Sequence, residues 1–197
     1  MRNVLLVLTL LGCWGAWQHY RTRPIPHSPG TVVATAPSQT SARDDATFPY
    51  KGHTLTRLQD FDIRARVLSR ADYSLDRGAT LAPVDLALGW GRMSDSAVLA
   101  AFEIWQTNRY FFWKAERLPI PQDEIISSSS NMHLIPADAE VARRLRETRV
   151  GDIVHFSGSL VEARGSDGHV WRSSLSRTDS GDGACELVYV EQFIIQR

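Results

Sequence analysis

His133 is the side chain best placed to do chemistry. It stands two residues after Asn131 and shortly before a stretch with helical periodicity. A histidine at a helix start meets partly positive backbone N–H groups, which favour an anion. Asn131 is close enough in sequence to orient the ring by a hydrogen bond. The competing reading packs His133 under the helix as a hydrogen-bonded structural residue. As a general base it would need an acid to hold it, and Asp85 and Asp152 are the candidates. Arg109 opens an aromatic strand, and Trp90 lies between Gly89 and Gly91. With Trp113 these form the rest of the candidate binding set: Trp90, Arg109, Trp113, Asn131 and His133. Tyr110 and Trp171 extend the aromatic choice, with core packing as the alternative for each ring.

Known catalytic patterns are missing. There is no HExxH, HxxxH or CxxC for a metal, no GxSxG or SxxK around Ser127–Ser130, and no Gly-rich phosphate loop. The four serines read as a polar edge segment. The run from Asp179 to Gly183 lacks the downstream glutamate of a calcium loop and reads as a turn. No cofactor or metal is expected. The 22 basic and 22 acidic residues cancel, and no basic run occurs, so nucleic acid is not an expected partner. With Cys13 and Cys185 alone, no disulfide framework supports the fold.

The elements that must position these residues follow from periodicity. Phe61, Ile63, Ala65 and Val67 alternate with charged residues, which predicts a half-buried strand. Residues 72–82 have loop chemistry, and Ser94, Asp95 and Ser96 can cap a short helix. Residues 102–106 and 109–115 predict an aromatic hairpin turning at Thr107-Asn108. Residues 125–134 read as extended. A helix is expected from about Pro136, with Ala137, Val141, Leu145 and Thr148 on one face. Gly151-Asp152 turns the chain into a strand over 153–163. A hairpin loop at 164–168, a strand over 169–175 and a last strand over 185–195 complete the order. The predicted class is α+β, mainly β: an OB-like small barrel or curled antiparallel sheet with one packed helix, preceded by an N-terminal apolar helix.

Residues 4–17 are apolar behind Arg2, which is the pattern of a secretory leader. An uncleaved signal anchor, a cleaved signal peptide and lipidation at Cys13 within Leu10-Leu11-Gly12-Cys13 compete. The division is therefore 1–20 anchor or signal peptide, 21–47 disordered linker rich in Pro, Ser and Thr, and 48–197 globular domain. The motifs YKGHTL at Tyr50, PVDLALGWG at Pro83, SNMHLIPA at Ser130 and GACELV at Gly183 resemble a family of membrane-anchored or exported proteins of Gram-negative bacteria. The resemblance covers most of residues 50–191. It implies an inner-membrane protein with its domain in the periplasm, or a lipoprotein or secreted form. It brings no activity and no catalytic residues. The resulting expectation is a membrane-tethered binding module for an envelope protein or glycan. A hydrolase using His133, or a structural subunit of an envelope assembly, are the alternatives.

Overall fold

The structure, a computed structural model, describes residues 23–44, 46–176, 178, 179, 181 and 183–196, together with residues 12 and 15. The anchor segment 1–20 and Cys13 otherwise lie outside the described residues. Among those described, no helix is long and apolar enough to cross a membrane.

The chain is mainly β. Its strands are β1 (Ser38–Ser41), β2 (Thr47–Tyr50), β3 (His53–Asp72), β4 (Val84–Gly89), β5 (Glu103–Thr107), β6 (Tyr110–Lys114), β7 (Ser129–Pro136), β8 (Ile153–Gly165), β9 (Val170–Arg172) and β10 (Glu186–Gln196). The helices are α1 (Ser96–Leu99), α2 (Gln122–Ser127) and α3 (Ala139–Glu147), with a 3-10 turn at Gly91–Ser94. One large sheet runs β1-β3-β4-β7-β10-β8-β9, and β2 pairs with β3. Since β3 also pairs with β8, the ladders β3–β4–β7–β10–β8 return to their starting strand. All of these pairs are antiparallel except β7–β10. The sheet is therefore mixed rather than antiparallel: α3 and β8 intervene between β7 and β10 and reverse the second strand's direction.

Alternation along each strand builds the core. Phe61, Ile63, Leu86, Leu88, Met132, Leu134, Phe156 and Val188 point to one side, where Val141 and Leu145 of α3 join them. Gly158 makes this possible on β8: a Cβ there would meet Tyr189 O at 1.9 Å. The opposite faces of β4 and β7 are buried as well, every residue of β4 being buried. A second apolar cluster forms there around Leu55, Leu81, Ile135, Val161 and Leu187. A third forms around Ala87, Met93 and Ile125, with Ile104, Phe111 and Trp113 of the β5–β6 hairpin packed on it.

Several elements depart from expectation. Pro136 ends β7 and does not start the helix; the N-cap of α3 is Asp138, whose side chain accepts from Val141 N at 2.8 Å. Residues 125–127 are helical, because Pro121 starts a turn that two acidic first-turn residues favour. Ser127–Ser130 is no edge segment: β7 lies between β4 and β10. Its hydroxyls find partners, the buried Ser129 donating to Ile125 O and the half-buried Ser130 to Glu186.

The expected linker 21–47 is also corrected over its described part. Ile25 N donates to Val150 O at 2.8 Å, and His27 Nε2 sits 2.6 Å from Gly151 O. Val33 is 1% exposed within the main core, and β1 pairs with β3 at residues 59–62. Composition suggested a loose tether because the segment has no periodic apolar face. One well-placed valine and backbone pairing along β3 are enough to hold it down.

Candidate functional site

Asp85 and His133 are cross-strand neighbours on β4 and β7. Both point away from the main core, into the gap between the second and third apolar clusters. Asp85 is 0% exposed and His133 3%. His133 Nδ1 lies 2.8 Å from Asp85 Oδ2, off the angle of a straight hydrogen bond, and neither atom has another partner among the described residues. Nδ1 thus faces the carboxylate, and Nε2 is the ring nitrogen left for whatever occupies the cleft.

Arg109 completes the cluster. Nη1 donates to Asp85 Oδ1 at 2.8 Å and to Ala82 O at 2.8 Å. Nε and Nη2 donate to the two oxygens of Asp76 at 2.9 and 2.8 Å. The guanidinium carbon is 3.7 Å from the centre of the Tyr73 ring and 5.6 Å from that of Trp171. With four of its five N–H groups engaged, Arg109 fixes the site and is not a free cation for a ligand. Its two carboxylate partners pull it into an unusual backbone. Asn108 and Arg109 have φ of 50° and 71°, the geometry of a two-residue hairpin turn that favours Gly at the second place. An arginine there stores roughly 1 kcal/mol of strain, held by the ion pairs and by Asn131 Nδ2 donating to Arg109 O at 2.8 Å. Gln106 Nε2 in turn donates to Asn131 Oδ1 at 2.5 Å.

The electrostatics follow the contacts. Hydrogen bonds from Arg109 hold the Asp76 carboxyl below its ordinary value. Burial, aided by the charge of Asp85, pushes the Tyr73 phenol up. Cys185 lies against Asn131 and the Arg109 carbonyl, 3.7 and 3.9 Å from Sγ. Burial pushes its thiol up to about 11, with the carboxylates of Glu186, Asp85 and Asp179 adding to the shift. A thiol so placed is not a thiolate at neutral pH, so Cys185 is no activated nucleophile.

Above this cluster opens a cleft of about 560 Å3, lined among others by His53, Asp76, His133, His169 and Trp171. The Trp171 ring is 4.8 Å from that of His133. Beside it lies a smaller cleft of about 250 Å3 with Phe112, Trp113, Asn131 and Asp179 in its walls. Tyr110 and Cys185 belong to both. Among the described residues, no group of three or more His, Cys, Asp or Glu side chains is arranged to hold a metal ion.

The structure thus brings together Asn131, His133 and Arg109, and sets Trp113 in the neighbouring cleft. It does not bring Trp90 there: the indole is 3% exposed and packs in the main core. Glycines on either side suggested a loop, and the ring closes the core beneath that loop. His133 sits in mid-strand rather than at a helix start. Asp152 accepts from Arg149 N and is not part of the cleft. Sequence reasoning missed Asp76, which carries no pattern of its own. Asp85 had a readable signal, a carboxylate inside the apolar run PVDLALG, since a buried polar residue is more informative than an exposed apolar one. Comparison with family models, with curated proteins and with solved structures found no match to this chain.

Proposed function

We propose that this domain is an OB-type barrel serving as a ligand-binding module, anchored by residues 1–20 with its cleft open to the periplasm. Numbered along the closed circuit, β3, β4, β7, β8 and β10 are barrel strands one to five, laddered in the order 1-2-3-5-4. The single parallel pair joins strands three and five, and α3 lies between strands three and four. Barrels of this type take oligomeric ligands on the face of strands two and three, beneath the loops joining one to two and four to five. This is an analogy of architecture and supplies no chemistry.

One observation carries the reading: the buried polar cluster falls on that face. Asp85 is on strand two and His133 on strand three. Asp76 comes from the first loop, and Trp171 from the connection between strands four and five. A buried charge cluster costs stability, so its place under an open cleft supports a binding role. The test is native mass spectrometry of the full chain purified from membranes. A bound molecule should appear with the wild type and be lost from Trp171→Ala. A chain that never carries one, and gains none from an envelope extract, would refute the reading.

The Asp85–His133 contact favours a second reading, hydrolysis with His133 Nε2 as general base for a water. Asp85 holds the ring as the acid of a catalytic triad does. In that case His133→Gln abolishes turnover of an envelope ester or glycoside at temperatures where the variant, about 1 kcal/mol less stable, is still fully folded. Parallel loss of turnover and fold would return His133 to a packing role.

A further inference from the structure

The outward face of the β5–β6 hairpin carries three cross-strand pairs: Glu103 with Lys114, Trp105 with Phe112, and Thr107 with Tyr110. Its inward face is already used, by Ile104, Phe111 and Trp113 against the third cluster and by Gln106 on Asn131. Trp105, Phe112 and Tyr110 lie on the other face, and each remains 38–39% exposed. They are ordered against one another. Trp105 lies nearly flat on Phe112, centroids 5.6 Å apart at 16°, and Phe112 reaches Tyr110 at 6.4 Å. Tyr110 is also a wall of the large cleft. An aromatic row runs without a break from open surface to the cavity of His133 and Trp171.

The geometry points to an oligosaccharide-binding face: one sugar unit sits in the cleft against Trp171, and the following units stack on Tyr110, Phe112 and Trp105. This rests on the binding reading above and names its ligand class. A pyranose shows C–H bonds on its faces, which suit the electron-rich face of an aromatic ring. Around its rim it shows hydroxyls, which need donors and acceptors together. The cleft offers both, from the imidazoles of His53, His133 and His169, the Asp76 carboxylate and the Asn108 amide. Contiguous exposed aromatic surface on a folded domain marks an interaction site.

Charge separates this ligand from the other polymer that stacks on aromatic rows. Single-stranded nucleic acid is held by a cationic groove that follows its phosphates. Here each arginine among the described cleft residues is already paired: Arg77 with Asp167, Arg109 with Asp76 and Asp85, and Arg172 with Glu162. The row itself ends on one acid and one base, Glu103 and Lys114. A neutral polymer fits that balance.

The full chain in detergent is applied to a glycan array, then titrated with linear oligomers of one to six units of the best-retained sugar and with oligothymidylate. Affinity should rise with oligomer length. Trp105→Ala with Phe112→Ala should erase that rise, about 10-fold for the longer oligomers, and leave single-unit binding unchanged. Trp171→Ala should remove both. Trp105→Gln alone keeps the comparison readable if the double variant loses its hairpin. No retained glycan, affinity independent of length, or tighter binding of oligothymidylate would each overturn the proposal. A non-saccharide found in the cleft by mass spectrometry would overturn it while the binding-module reading survives; an empty cleft in both experiments would end both.

Discussion

Asp85 has no water to turn to, so its partners decide its worth. Removing its charge leaves the Arg109 guanidinium with one carboxylate instead of two in a site only 16% exposed. Asp85→Asn should cost about 2–4 kcal/mol of unfolding free energy, read from urea denaturation. His133→Gln removes a single polar contact and should cost about 1 kcal/mol. A larger loss from His133→Gln than from Asp85→Asn would show that the histidine, not the carboxylate, holds the cluster. Cys185 gives a pH test at the same scale. Its folded value is raised to about 11 against an ordinary 9.0, so the thiolate forms later in the folded chain than in the unfolded one. Alkylation under native conditions should be slow at pH 8 and climb only towards pH 11. The same shift makes the folded state lose stability as pH rises above about 9. Rapid alkylation at pH 8 would show an activated thiol instead.

At the scale of elements, α3 was the most legible part of the chain. Val141, Leu145 and Thr148 are buried as their spacing requires, and Glu140 pairs with Arg143 and Arg144. The start was misplaced because Pro136 and Asp138 both carry start signals and only the strand register of β7 selects between them. Asp138→Ala should cost about 1 kcal/mol by loss of the cap, measured by thermal melting. The two arginines hold Glu140 down to about 2 in the folded state. Its contribution is thus present above its ordinary value of 4.5 and fades as pH falls through 4.5 towards 2. Its exposure and screening keep that contribution small. The hairpin was legible from its aromatic content, though not its division into a packed inner face and an open outer one. Both faces are aromatic, and alternation shows only that they differ.

At the scale of the molecule, the segment 23–44 acts as a strap. Gly151 has φ of +88°, and a Cβ on it would meet Ile25 O at 2.1 Å, so the turn before β8 is shaped to receive the strap. Val33→Asp places a charge in the main core and should destabilise the whole domain by more than about 2 kcal/mol. Removing residues 1–37 should lower the melting temperature by several degrees relative to a chain from which only residues 1–22 are removed. Equal melting of the two truncations would restore the tether reading. Gly158→Ala acts at the same scale, since the β8–β10 ladder must part to admit a methyl group.

The sequence by itself determined what local periodicity can encode. The alternation that buries β3, the amphipathic α3, the aromatic hairpin and the mainly-β class were all legible. It named Asn131, His133 and Arg109 as candidates, His133 for a helix start that the structure replaces with the middle of β7. Only the tertiary structure decided which carboxylate serves His133 and Arg109, and that Trp90 is core. It alone placed the strap in the core and the aromatic row at the cleft. Those facts depend on register across β4 and β7 and on contacts between residues dozens of positions apart. No local pattern carries such pairings.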